Sequence, residues 1–160
     1  MLLGVVSDTH GQLDQTRRAM RMLESLAPDV VIHCGDIGSA RVVELFRPWN
    51  MHYVFGNVDR HEAELRTAIL SAGHQCHGRF GELELAGRRI AFLHSDDERR
   101  FRETTTADQY DLVCYGHTHH AEQHRAGKAL ILNPGAIHRA NPHSIAVVDL
   151  ASMTATIVEI

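Results

Sequence analysis

Five short apolar runs along the chain stop abruptly at Asp, Asn or His. Leu2-Leu3-Gly4-Val5-Val6 runs into Ser7-Asp8-Thr9-His10, and Val30-Val31-Ile32 leads through His33-Cys34 into Gly35-Asp36. Tyr53-Val54-Phe55 ends in Gly56-Asn57, Ile90-Ala91-Phe92-Leu93 in His94, and Leu112-Val113-Cys114-Tyr115 in Gly116-His117-Thr118-His119. Apolar runs of this length, set between turn residues and helical segments, read as buried strands. After the first run, Leu13, Met20, Leu23 and Leu26 recur at helical spacing, and Pro28 closes that helix. The pattern predicts strands over 29–34 and 51–55, a short helix over 39–46 stopped by Pro48, and a third helix over 60–72 ending at Gly73. A β-α-β-α-β order implies parallel strands with right-handed crossovers.

The second half changes character. Glu82-Leu83-Glu84-Leu85 alternates polar and apolar, as a half-exposed strand does, and Ala86-Gly87-Arg88 turns it back into 89–93. Residues 97–108 form a weak helical pattern and 111–115 a fifth strand. A second hairpin turns at Gly127-Lys128, and 144–150 with 154–159 make a closing pair. Parallel strands early and antiparallel hairpins late predict two sheets packed face to face with helices outside. No repeat or linker interrupts residues 1–160, which are expected to form one domain.

Composition narrows the classes. A net charge of −4 and the lack of any long basic run argue against long nucleic acid as the main partner, because phosphate neutralisation needs clustered Lys and Arg. Cys34, Cys76 and Cys114 are odd in number and far apart, which fits free thiols in a reducing compartment better than disulfides. No stretch approaches the roughly 18 consecutive apolar residues of a membrane span. The first apolar run has no basic segment before it and is cut short at Ser7-Asp8, unlike a signal peptide. The expectation is a cytoplasmic protein without membrane contact. A homo-oligomer stays open, with Trp49, Tyr53 and Phe80 as its large apolar candidates.

The chemistry lies where the strands stop. Strands of one sheet that all finish in ligand-type residues gather those residues at one edge, and the C-terminal edge is where open α/β sheets bind ligands. The set is Asp8, His10, Asp36, Asn57, His94, His117 and His119. Carboxylate, imidazole and amide oxygen suit borderline divalent ions. Seven groups exceed the about four that a tetrahedral zinc takes, and fit two metals sharing one carboxylate. In an extended segment residues i and i+2 point the same way, so Asp8 and His10 can face one ion. His117 and His119, roughly 6–7 Å apart along such a segment, suit two different ions. Each motif alone has an ordinary structural explanation, such as a turn or a helix cap. For Asp59 that explanation is preferred: with Glu62 it resembles a capping box opening the third helix. Asn133-Pro134-Gly135-Ala136 is either a plain turn or the rim of the site. His33 and His120 neighbour ligands as candidate supporting partners, and His138 and Arg139 are candidates for contact with a substrate phosphate. The remaining histidines carry no functional reading.

The order D-x-H, G-D, G-N-x-D, H, G-H-T-H and N-P-G-A, carried by Asp8, His10, Asp36, Asn57, His94, His117, His119 and Asn133, resembles the calcineurin-like metallophosphoesterase superfamily. Its short length resembles the small bacterial and archaeal phosphodiesterases. The resemblance spans residues 2–150. It implies a four-layer αββα sandwich, an α/β fold of two mixed sheets flanked by helices. It also implies Asp8, His10, Asp36 and His119 on one metal, and Asp36, Asn57, His94 and His117 on the other, with Asp36 bridging. The expected function is hydrolysis of a small phosphate ester, a diester before a monoester, by in-line attack of a hydroxide bridging two divalent ions. Manganese ranks first among Mn, Fe, Zn, Co and Ni, with Asn57 and His94 helping to offset charge on the phosphoryl oxygens.

Two departures stand out. Many members have His where this chain has Val58, and that His is taken to act on the leaving group. Many have Gly where this chain has Ser95. A non-catalytic scaffold of the same fold, like a retromer subunit, is the alternative from another class; its site is degraded, whereas all seven positions here hold competent ligands. A nuclease is the third reading, weakened by the missing basic surface.

Overall fold

In the computed structural model, which describes residues 1–160, the alternation expected of the first half is present. It runs β1 (Leu2–Val6), α1 (Leu13–Leu26), β2 (Val30–His33), α2 (Ala40–Leu45), β3 (Met51–Tyr53), α3 (Glu62–Ser71) and β4 (Gln75–Cys76). β1 to β4 pair in parallel, each with the next. The strand β4 is not legible in the sequence, because two residues carry no alternation. The second half contributes β5 (Phe80–Leu85), β6 (Arg88–Leu93), α4 (Glu98–Thr106), β7 (Leu112–Tyr115), β8 (Ala121–Ala126), β9 (Ala129–Pro134), β10 (Ser144–Asp149) and β11 (Thr154–Glu159).

One sheet has the order β11-β10-β1-β2-β3-β4 and the other β5-β6-β7-β9-β8. Both are mixed. The hairpins expected late in the chain are there, but β6, β7 and β9 run parallel to one another. These parallel pairs go beyond the hairpins read from the sequence and agree with the expectation of two mixed sheets. α4 carries the chain back across the sheet, so β7 starts at the same end as β6. Asp97 fixes the start of α4 by accepting the Arg100 N–H at 3.0 Å.

Side-chain alternation on the strands builds the layers. Leu3, Val5, Ile32, Val54, Ile90, Phe92, Leu112, Leu130, Ala146 and Val148 fill the space between the sheets. Val6, Val31, Met51 and Tyr53 point the other way, onto Leu23 of α1, Val43 of α2 and Leu65 and Ile69 of α3. Leu93, Val113, Tyr115 and Ile131 meet Phe101 of α4 on the far side. The result is the four-layer αββα sandwich. Short strands covered on both faces are apolar throughout for this reason. Tyr53 is fully buried and therefore cannot serve an interface.

Gly81 on β5 lies directly against the Phe92 ring, and a Cβ there would overlap the ring edge. Phe92 is locked in the inter-sheet core. Gly81→Ala should therefore cost about 1–3 kcal/mol through overpacking. The expected readout is a lower urea midpoint at unchanged m-value.

Candidate metal centre

Because β1, β2 and β3 are parallel in one sheet and β6 and β7 are parallel in the other, all five end at the same edge of the sandwich. Asp8 and His10 follow β1, Asp36 follows β2, Asn57 follows β3, His94 follows β6, and His117 and His119 follow β7. The loops are laced together by backbone bonds from Asp8 N–H to Gly35 O (3.1 Å), His10 N–H to Asp36 O (2.9 Å) and His138 N–H to Asp8 O (3.0 Å).

The backbone here is not extended. Asp8, His10, Asp36, His117 and His119 all have positive φ, between 47° and 80°. Sharp left-handed bends, not the pleat of a strand, therefore aim these side chains. The extended-segment, i, i+2 argument for Asp8 and His10, and for His117 and His119, does not hold in this geometry. Each such residue costs on the order of 1–3 kcal/mol and persists only where its surroundings hold it. Ser95 shares this conformation at φ 76°, and its Oγ donates to Gly116 O at 3.0 Å. A hydroxyl at this strained position ties the His94 loop to the His117 loop.

Asp8 is the hub. Its Oδ2 accepts from Ser7 Oγ at 2.5 Å and from His117 N–H at 3.2 Å. Its Oδ1 is buried and has no hydrogen-bond partner. Around that oxygen lie His119 Nε2 at 3.1 Å, His10 Nε2 at 3.6 Å and His94 Nε2 at 4.0 Å. Asp36 turns Oδ1 to the Val58 N–H (3.1 Å) and Oδ2 to His94 Nε2 (3.2 Å) and His10 Nε2 (3.7 Å). Asn57 Oδ1 is 3.1 Å from His94 Nε2.

Two imidazoles have fixed tautomers. A carbonyl oxygen only accepts, so His94 Nδ1–H donates to Cys34 O (2.8 Å) and His119 Nδ1–H to Arg139 O (3.3 Å). In the neutral rings both Nε2 lone pairs then face the Asp8 carboxylate. Lone pairs and a buried anionic oxygen that converge repel one another unless a cation or a shared proton lies among them, and His10 Nε2 stands 3.3 Å from His119 Nε2. Burial disfavours the Asp8 and Asp36 carboxylates, but bonds and charge from His10 and His94 outweigh it and hold both below the ordinary range. Burial likewise opposes a charged His94, yet Asp36 and Asp8 raise its pKa.

Two groups have ligand atoms within 4.8 Å of one another: Asp8, His10 and His119, and Asp8, Asp36 and His94. Asp8 is common to both, while Asp36 Oδ2 also reaches both His10 and His94. Asn57 joins through His94. The exposed His117 stands apart from the compact groups, its ring centroid 5.1 Å from that of His94. The donor spacing of 3.1–4.0 Å fits atoms that each bind one ion at about 2.0–2.2 Å.

The surrounding residues give mixed outcomes. Fully buried His33 accepts the Gly35 N–H on Nδ1 and donates Nε2–H to Thr9 Oγ1 at 3.0 Å, bracing the loop between Asp8 and His10. Burial pushes its pKa down to about 3, so the ring is neutral. His120 is exposed, its backbone N–H donates to Thr118 Oγ1, and no hydrogen bond joins its ring to a ligand side chain, so the expected supporting bond is not formed. Asp59 is corrected as well. α3 starts at Glu62 with His61 at its cap, and the Asp59 carboxylate instead accepts the N–H groups of Gly56, Ile37 and Gly38 at 2.9–3.1 Å. It clamps the Asn57 loop to the Asp36 loop. Asn133 closes the rim, donating to Thr118 Oγ1 at 3.0 Å and accepting from Gly135 N–H at 2.9 Å. The His138 ring lies 6.0 Å from that of His10, beside the same edge. Sequence reasoning missed Ser7, whose hydroxyl holds Asp8; its only signal is adjacency.

Residues 1–153 match the model of the calcineurin-like phosphoesterase superfamily domain. Over 138 residues the chain is 28% identical to a phosphodiesterase of Methanocaldococcus jannaschii, covering 84% of this chain and 83% of that protein. Among solved structures, an archaeal phosphodiesterase superposes with a TM-score of 0.93 at 24% identity over the whole of both chains. Vacuolar protein sorting 29 of Cryptosporidium parvum superposes at 0.69 with 16% identity, over 98% of this chain and 95% of the other. At these identities the two superpositions establish the fold.

Proposed function

The chain belongs to the calcineurin-like phosphoesterase superfamily, and we propose that it is a metal-dependent phosphodiesterase acting on a small phosphate ester by in-line displacement at phosphorus. The observation that carries this reading is the buried, partnerless Asp8 Oδ1 with three imidazole Nε2 atoms within 4.0 Å. Such an oxygen calls for a cation. In this reading Asp8, His10, Asp36 and His119 hold one divalent ion. Asp36, Asn57, His94 and His117 hold a second, with manganese first among the candidates and Fe, Zn, Co and Ni also suited to these donors. Ions bound there supply Lewis acidity and hydroxide near neutral pH.

The chain's own residues do the rest. Asp8 and Asp36 neutralise part of the added charge. Cys34 O and Arg139 O hold His94 and His119 with their Nε2 atoms inward. Asn57 is exposed beside His94, and its amide NH₂ is available to donate to a phosphoryl oxygen as charge grows there. His138 and Arg139, on the rim, are suited to steady the substrate phosphate. The reading as a non-catalytic scaffold has only fold likeness behind it, and all seven donor positions are filled.

The preference for diesters follows from Val58. It is 38% exposed at the mouth, beside Asp36, and cannot protonate a leaving group. An ester with a good or preneutralised leaving group tolerates that lack. With manganese present, kcat/KM for bis-p-nitrophenyl phosphate should exceed that for a simple alkyl monoester such as glycerol 2-phosphate, whose alkoxide leaves poorly without a proton. Val58→His should raise kcat on that alkyl monoester about tenfold, a modest share of what general acid catalysis can supply. A monoester preference in the wild type, or no gain in the variant, would remove the diester assignment.

A further inference from the structure

Beside the centre, a cavity of about 250 Å³ is lined by Arg79, Leu93, His94, Ser95, Asp96, Asp97 and Arg100. His94 belongs both to this cavity and to the donor cluster, so the cavity borders the centre. Most of the charged groups on its walls are already engaged. Arg79 bonds Glu62 at 2.8 Å and Asp96 at 3.4 Å. Asp97 accepts the Arg100 backbone N–H. Ser95 spends its hydroxyl on Gly116 O. Arg100 forms no salt bridge and no side-chain hydrogen bond; the one carboxylate that feels its charge is Asp97, whose oxygen is taken by the Arg100 backbone N–H. Its guanidinium lies over the Phe80 ring at 5.8 Å from the centroid, which limits where the fork can point. Its neighbour Arg99, by contrast, pairs with Glu103 at 2.9 Å.

We infer that this cavity receives one arm of the ester and that Arg100 binds a second anionic group on that arm. The inference rests on the phosphodiesterase reading above and narrows it. The substrate class is a phosphodiester that carries a further phosphate or carboxylate a few atoms from the reacting phosphorus. A planar guanidinium fork matches the oxygens of such a group. Arg79 offsets the charge of Asp96, while Asp97, drawn to the start of α4 and to Arg99, competes only in part for Arg100.

The test uses two chromogenic esters that differ by one phosphate: p-nitrophenyl thymidine 5′-phosphate and the same ester phosphorylated on its 3′-hydroxyl. With the manganese-loaded wild type, the 3′-phosphorylated ester should have about tenfold higher kcat/KM, expressed in KM. In Arg100→Gln the ratio of the two kcat/KM values should fall to about one, and in Arg100→Lys it should recover partly. Arg102→Gln, on the same helix but outside the cavity, should keep the wild-type ratio. A wild-type ratio at or below one, or a ratio unmoved by Arg100→Gln, overturns the inference while leaving the phosphodiesterase reading intact. Failure of the wild type to cleave either ester or bis-p-nitrophenyl phosphate with any of the five metals overturns both.

Discussion

Asp36→Asn is expected to lower manganese-dependent kcat/KM on a diester by about 10³-fold or more, because it removes the carboxylate that reaches both donor groups. Asp36 is only 2% exposed, so the substitution must be judged against folding. Asn retains an oxygen for the Val58 N–H, which Asp36 Oδ1 accepts at 3.1 Å, and keeps the side-chain volume. What disappears is the charge facing His94 Nε2 at 3.2 Å and His10 Nε2 at 3.7 Å. The variant should fold, with a far-UV spectrum like the wild type, and bind manganese weakly. His117→Ala gives an independent check. That ring is exposed, and its backbone N–H to Asp8 Oδ2 survives the change. Loss of activity in His117→Ala therefore cannot be ascribed to a damaged core. Full activity in either variant would contradict the two-ion reading.

Manganese should also stabilise the protein. A ligand at about 100 times its Kd adds roughly 2.7 kcal/mol. For a chain of 160 residues this is a rise of about 5–10 °C in Tm. The reason lies in Asp8. The metal-free protein leaves Oδ1 buried without a partner, and the bent backbone at Asp8, His10 and Asp36 stores strain that a bound ion helps to hold. Asp8→Asn should shrink the manganese shift markedly while changing the metal-free Tm by only about a degree or two. An Asn NH₂ in place of Oδ1 finds imidazole nitrogens as acceptors, so the variant relieves the orphaned group that the wild type leaves. A wild type whose Tm does not respond to divalent ions, or an Asp8→Asn protein that responds equally, would count against the assignment. Differential scanning calorimetry with and without chelator makes the comparison.

The strand ends were legible because burial on both faces leaves an unbroken apolar signal, and the ligand-type residues break it sharply. The closing pair β10–β11 was legible as two runs rich in β-branched residues on either side of Ala151-Ser152. The parallel pairing of β6, β7 and β9 was not, because pairing across a sheet depends on the path of α4 and of the β8 hairpin rather than on any local period. The left-handed bends at Asp8, His10, Asp36, His117 and His119 were hidden as well. Glycine announces such a bend, whereas Asp or His adopts it only under tertiary constraint. Asp59 shows the limit of motif reading. Its spacing to Glu62 imitates a helix cap, but the N–H groups of Gly56, Ile37 and Gly38 claim the carboxylate instead. Arg100 gave no signal at all, since an unpaired surface arginine is distinguished only by the cavity it faces.

The measurement closest to the central claim is hydrolysis of bis-p-nitrophenyl phosphate by protein stripped of metal, with manganese titrated back and His117→Ala run in parallel. The account predicts no cleavage by the stripped protein, activity that rises and saturates with manganese in the wild type, and none in the variant. Cleavage unaffected by stripping, or folded wild type that stays inactive with every one of Mn, Fe, Zn, Co and Ni, would contradict it.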